Sequence, residues 1–250
     1  MMQKNWIKPF DERRDIAIPG NKEQTITFSI DHFLELAASA IKEKGVFTVA
    51  LSGGSTPKAI YQGLSTQENR SRVNWEKVLL FWSDERCVPK NHPDSNYKMA
   101  MDAGLNTLGI PNQNIFPMPS EGDLDKGAEE YEKIIIRKVP TRSFDLVMLG
   151  MGDDAHTASL FPKTHALHPT ARLVVPNFIP HMDVWRMTLT FDCINTGRHP
   201  VVYVLGQNKA HIVGEVFTKP YDPDIMPVQR VGTETHKALW ILDKDAASGL

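Results

Sequence analysis

Five short apolar runs punctuate the chain: Val46–Leu51, Val78–Trp82, Phe144–Leu149, Val201–Leu205 and Ala238–Leu242. They are rich in Val, Leu and Phe and show little polar–apolar alternation. That is the pattern of strands buried on both faces, as in a parallel sheet. Between them, helices are predicted at Ile30–Lys44, Pro57–Leu64, Asn96–Leu108, Asp125–Lys138 and Lys209–Phe217. Strand–helix alternation of this kind predicts an α/β fold, a doubly wound and mostly parallel sheet flanked by helices on both faces. Ligands on such sheets bind at the carboxyl ends of the strands. The loops that follow the apolar runs are therefore the places to look for chemistry.

The first such loop is Ser52-Gly53-Gly54-Ser55-Thr56, ahead of Pro57. Two glycines let backbone N–H groups approach an anion. Thr56 suits an N-cap and Pro57 a first helical position, so the loop offers a helix N-terminus to a phosphate. The alternative is a tight turn with no ligand. No Gly-Lys-Ser/Thr follows, which excludes a Walker loop. The second loop, Ser83-Asp84-Glu85-Arg86, puts three charges at a strand end, where a polar pocket floor competes with a solvated loop. The same tripeptide at Asp11-Glu12-Arg13 has no apolar strand before it and reads as surface charge.

The third loop, Gly150-Met151-Gly152-Asp153-Asp154-Ala155-His156, matches a dinucleotide fingerprint in its glycine spacing. Its aspartates would meet a pyrophosphate, Pro162 cuts the helix short, and Leu173–Asn177 holds no acid for a ribose. The better reading is a turn presenting His156 and one aspartate, with a plain core or surface histidine as the alternative. In the fourth loop, Gly206-Gln207-Asn208-Lys209-Ala210, Lys209 opens a helix. A cation there opposes the dipole unless an anion is expected. Arg186 heads Arg186-Met187-Thr188-Leu189-Thr190 and matters only if its strand ends in the same cleft.

Composition narrows the field. Net charge is −2 over 250 residues, with 41% hydrophobic and 23% charged, so no general attraction to nucleic acid or anionic membrane is expected. Cys87 and Cys193 form no CxxC motif, and reduced cytoplasmic thiols are expected. Arg86 beside Cys87 would lower that thiol's pKa, yet without a histidine partner Cys87 reads as an ordinary loop residue, and Cys193 as core. His165 and His168 are spaced HxxH without the intervening Glu of a zincin, so no metal site is expected. The first residues lack the apolar run of a signal peptide, and no stretch reaches the ~20 apolar residues of a membrane span.

The blocks LSGGSTP (51–57), WSDERCVP (82–89), DSNY (94–97), FDLVMLGMG (144–152), HTASLFP (156–162), RMTLT (186–190), GQNKA (206–210), PVQRV (227–231) and ALWILDKDAA (238–247) occur in one order. Together they resemble the glucosamine-6-phosphate isomerase/6-phosphogluconolactonase family, and within it the lactonases. The likeness runs from about Ile30 to the last residue. It implies a single Rossmann-like domain over 1–250, with 1–29 as an N-terminal extension. It implies hydrolysis of 6-phospho-D-glucono-1,5-lactone, in the oxidative pentose phosphate pathway, without a cofactor. It places the catalytic histidine on His156, the phosphate loop on Ser52, Gly53, Gly54, Ser55 and Thr56, and the basic pocket residues on Arg86, Arg186 and Lys209. Asp84 or Asp154 would orient the imidazole, and Arg86 would contact phosphate or oxyanion. One departure stands out: Ala155 occupies the family's usual glycine. If the position has φ > 0, alanine costs on the order of 1 kcal/mol there. The rival on the same fold is an isomerase or deaminase that uses Asp84 to move a proton. A non-catalytic sugar-phosphate sensor would need a helix-turn-helix segment, for which the residues before Ile30 leave no room.

Overall fold

The computed structural model describes residues 6–168 and 171–250; residues 1–5 of the expected N-terminal extension lie outside them. The five apolar runs form the predicted strands β3 (Phe47–Leu51), β4 (Val78–Trp82), β6 (Leu146–Leu149), β9 (Pro200–Val204) and β10 (Ala238–Leu242). The extension adds β1 (Ile7–Pro9) and β2 (Arg14–Ala17). The seven strands lie in the order β1-β2-β10-β9-β6-β3-β4, and every neighbouring pair is parallel except β1–β2. The chain steps from β3 to β4 in one direction and through β6, β9 and β10 in the other. The winding therefore reverses between β3 and β6, where the loops beyond their carboxyl ends part to leave a crevice.

A second, antiparallel sheet sits at that end, in the order β5 (Asp84–Arg86), β8 (Val184–Leu189), β7 (Val174–Ile179). Ser83 joins the two sheets. Its N–H and hydroxyl donate to Leu51 O (2.7 and 2.9 Å), and its carbonyl accepts from Leu189 N at 2.8 Å.

The helices are α1 (Lys22–Lys44), α2 (Ser55–Leu64), α3 (Gln67–Arg70), α4 (Asn96–Asp102), α5 (Leu124–Lys138), α6 (Phe191–Asn195) and α7 (Ala210–Thr218). Helix α1 starts eight residues before the expected Ile30. Asn21 and Gln24 form a reciprocal capping box, a signal that the apolar periodicity does not carry. Helix α4 stops at Asp102, and Gly104 (φ 116°) turns the chain into a 3-10 turn instead of continuing to Leu108. Helix α2 corrects the expected cap: Gly54 (φ 100°), not Thr56, is the N-cap, and Pro57 is the third helical residue. Proline is tolerated there because N–H groups of the first turn have no intrahelical acceptor.

The core holds Trp82, Trp240, Tyr61, Tyr131, Phe47 and Phe81, all fully buried. Each such side chain contributes roughly 1.5–3 kcal/mol of burial. Tyr61 also braces the first loop, accepting from Ser52 N at 3.1 Å and donating to Ser52 O at 2.8 Å. The Asp11-Glu12-Arg13 segment is not mere surface charge. Asp11 Oδ1 accepts from Arg13 N (2.9 Å) and Arg14 N (2.7 Å), and the Arg13 guanidinium donates to the carbonyls of Arg230 (3.0 Å) and Gly232 (2.9 Å). It ties the N-terminal hairpin to the segment before β10. No helix among the described residues is long and apolar enough to cross a membrane.

Candidate active site

Two glycines shape the first loop for different reasons. Gly54 has the positive φ that a side chain resists. At Gly53 a Cβ would stand 2.0 Å from Asn96 Oδ1, so the position is closed to any side chain. No side chain caps α2, whose first turn faces the crevice with the positive end of the helix dipole.

In β5 the two-residue period separates the charges. Asp84 and Arg86 face the crevice; Glu85 points away and caps α4, accepting from Asn96 N (2.7 Å), Tyr97 N (2.8 Å) and Arg86 N (2.8 Å). Burial pushes the Glu85 carboxyl above its usual range despite these bonds. Asp84 is buried, with Oδ2 accepting from Ser159 Oγ (2.6 Å) and Oδ1 from Asn96 Nδ2 (3.2 Å). Arg86 lies directly across from Arg186 in the β5–β8 register and donates to Asp94 O. Burial and the neighbouring Arg86 charge lower the Arg186 pKa from its ordinary value, and its Nε is buried with no hydrogen-bond partner among the described residues.

The third loop is a tight turn around His156. Its Nδ1 lies 2.6 Å from Asp154 Oδ1, which also accepts from His156 N at 3.1 Å. Burial pushes the Asp154 carboxyl up, but the hydrogen bonds and charge of His156 outweigh it and hold that pKa below the usual carboxylate value. Gly152 has to lack a side chain, because a Cβ would fall 2.1 Å from His156 Nδ1. Ala155, fully buried, adopts φ 61°, the left-handed conformation in which alanine is strained. Asp153 turns outward and meets Lys209 Nζ at 2.6 Å; the ammonium also donates to Met151 O at 3.0 Å. Lys209 ends a 3-10 turn, Gln207–Lys209, rather than opening the α-helix itself. Gly206 heads that turn, held by Asp243 Oδ1 at 3.0 Å.

The residues that the resemblance assigns to the site all line one cavity of about 640 Å³: Ser52, Gly53, Gly54, Ser55, Thr56, Asp84, Arg86, Asp154, His156, Arg186 and Lys209. Asn96, Ser159, Phe161 and His181 line it as well, and the sequence assigned them no role. The first three sit inside the DSNY and HTASLFP blocks, whereas His181 carries no sequence signal. Cys87 is the ordinary loop cysteine expected: burial pushes its thiol up to about 11, against the Arg186 charge that would lower it. Cys193 is core, as expected. In the HxxH pair, His168 faces Asp224 at 3.1 Å.

A switch-point crevice with an uncapped helix N-terminus and two arginines that have no carboxylate ion pair among the described residues places the chain in the class of doubly wound α/β proteins suited to an anionic ligand. Comparison with known proteins narrows that class. The family model described as glucosamine-6-phosphate isomerases/6-phosphogluconolactonase matches residues 20–240. A 6-phosphogluconolactonase of Chlamydia pneumoniae is 39% identical over 95% of this chain and 91% of its own. One from Synechocystis sp. is 40% identical over 84% of this chain and 88% of its own. The solved 6-phosphogluconolactonase from Trypanosoma cruzi superposes with a TM-score of 0.80 at 30% identity, covering 94% of this chain and 96% of that one. This chain belongs to the glucosamine-6-phosphate isomerase/6-phosphogluconolactonase family. The resemblance carried by the sequence blocks holds for both family and fold.

Proposed function

We propose that the chain hydrolyses 6-phospho-D-glucono-1,5-lactone to 6-phospho-D-gluconate, the lactone step of the oxidative pentose phosphate pathway. The names of its relatives support the substrate. The observation that carries the chemistry is the 2.6 Å contact between His156 Nδ1 and Asp154 Oδ1 at the switch point. With Nδ1 committed to Asp154, Nε2 is left to accept a proton. His156 removes a proton from water as the water oxygen adds to the lactone carbonyl. The tetrahedral intermediate then breaks its bond to the ring oxygen, which takes the proton back from His156. No covalent intermediate, cofactor or metal takes part in this scheme.

Asp154, rather than Asp84, is assigned to orienting the imidazole, because both Asp84 oxygens are engaged by Ser159 and Asn96. The loop Ser52–Thr56, Arg186 and Lys209 hold the phosphate, whose binding energy positions a reacting carbon remote from it. Arg86 serves the phosphate or the oxyanion. The deciding experiment assays the purified protein on freshly made 6-phosphogluconolactone, with the spontaneous rate subtracted and glucosamine-6-phosphate as control. Lactone hydrolysis that persists in EDTA is expected. Turnover of the amino sugar phosphate alone would move the chain to the deaminase branch, with Asp84 as its base.

A further inference from the structure

Phe161 is buried, at 5% exposure, yet stands outside the contiguous hydrophobic core and borders the cavity instead. Its ring stacks on the His156 imidazole with centroids 3.9 Å apart and planes 20° from parallel. The Asp154 bond fixes one edge of that imidazole but leaves it free to tip about the Nδ1–Oδ1 line. A ring lying flat against it blocks the tipping.

Phe161 is itself held. Thr164 Oγ1 donates to Phe161 O at 2.7 Å. The buried amide of Asn177, on β7, donates to Ser159 O (2.8 Å) and Thr164 Oγ1 (3.0 Å), gripping the chain on both sides of the phenylalanine. His181, at the β7–β8 turn, lies against the same phenyl ring with centroids 5.8 Å apart. The second sheet, through Asn177 and the turn residue His181, thus braces a flat apolar surface against the face of an ionisable ring.

We propose that Phe161 is a positioning residue that holds the His156 imidazole in the plane from which Nε2 meets the reacting water. The inference rests on the reading of His156 as general base. The test uses the full chain with Phe161→Leu, Phe161→Met and Phe161→Tyr, each confirmed as folded by its melting transition. The two aliphatic variants are expected to lose about 10-fold in kcat with KM changed by less than about twofold, the signature of a misplaced catalytic group. Phe161→Tyr keeps the ring and should restore most of kcat. A second arm needs no activity: the His156 Nδ1–H proton resonance, assigned by its loss in His156→Asn, should persist in Phe161→Tyr and vanish by solvent exchange in the aliphatic variants. Full kcat in both aliphatic variants, equal damage from tyrosine, or a rise in KM alone would overturn the proposal. If the unaltered protein hydrolyses no lactone, the proposed function fails, and the resonance still decides whether Phe161 holds the ring.

Discussion

The two ends of the seven-stranded sheet both gather charge, and they satisfy it differently. At the amino ends of β3, β6 and β9, Asp145 accepts from Thr48 N (2.8 Å) and Thr48 Oγ1 (3.0 Å) and pairs with Lys44 at 2.7 Å. Arg198 lies 3.7 Å from the same carboxylate and also pairs with Glu43 at 3.0 Å. These charged groups have their partners within the chain. At the carboxyl ends, Arg86 and Arg186 face each other with no carboxylate ion pair among the described residues, and α2 opens without a side-chain cap. A network closed on itself contributes to stability. One left open costs stability and is available to a ligand.

The largest expected effect tests the open end. His156→Asn should lower kcat by roughly 10²–10⁴, the usual weight of general acid–base catalysis, while the melting temperature and phosphate binding stay close to those of the unaltered protein. Retention of more than about a tenth of kcat would place the base elsewhere, with Asp84 the first candidate.

At the closed end the expectation inverts. Asp145→Ala should cost about 1–3 kcal/mol of stability, because the buried Thr48 N–H and hydroxyl lose their acceptor and the partly exposed Lys44 and Arg198 lose a shared partner. Denaturant unfolding measures the loss, and kcat/KM of the folded fraction should be unchanged. An equal loss of activity would mean that the two ends are coupled.

His32 sharpens the comparison through pH. Burial in α1, reinforced by the nearby His199, pulls its pKa from 6.5 to about 4. Between those values the unfolded chain binds a proton that the folded chain refuses. The stabilisation from neutral His32 is therefore complete above pH 6.5 and is lost as pH falls toward 4, at about 1.4 kcal/mol for each pH unit crossed. As pH falls through that window, the unaltered protein should lose stability relative to His32→Phe in unfolding curves. Parallel curves would show that His32 is not the group responsible.

The smallest effect separates the two basic residues of the pocket. Arg186→Ala should cut kcat/KM for the phosphorylated lactone by roughly 10–150-fold and spare unphosphorylated gluconolactone, since a charge-assisted phosphate contact is worth about 1.5–3 kcal/mol. Lys209→Ala should share that preference less cleanly. Its ammonium also holds Met151 O and Asp153 in the His156 loop, so part of its loss should fall on both substrates. Equal selectivity in the two variants would show that Lys209 contributes through the phosphate alone.

The apolar runs named five of the seven strands of the main sheet to within two residues because strands buried on both faces need unbroken hydrophobic sequence. The strands β1, β2, β5 and β7 leave no such mark: three of them are four residues or fewer, and β7 carries Asn177 and Pro176 in its middle. Most residues lining the cavity were legible because they sit at or just after the carboxyl ends of strands, where the fold class puts ligands, whereas Arg186, inside β8, was marked only by the resemblance. The choice between Asp84 and Asp154 was not legible, since it depends on which carboxylate Ser159 and Asn96 already occupy.

The layering of the fold, the loops that line the cavity and the family could be read from the sequence alone, because each is written in local patterns and in blocks kept in order. Tertiary structure alone decided that Glu85 turns away while Asp84 and Arg86 face the cavity. It also decided that Arg186 comes to lie beside Arg86, and that Phe161 lies flat on His156. Those outcomes follow from register and packing between segments far apart in the chain. No local pattern encodes which two strands will meet, or at which residue.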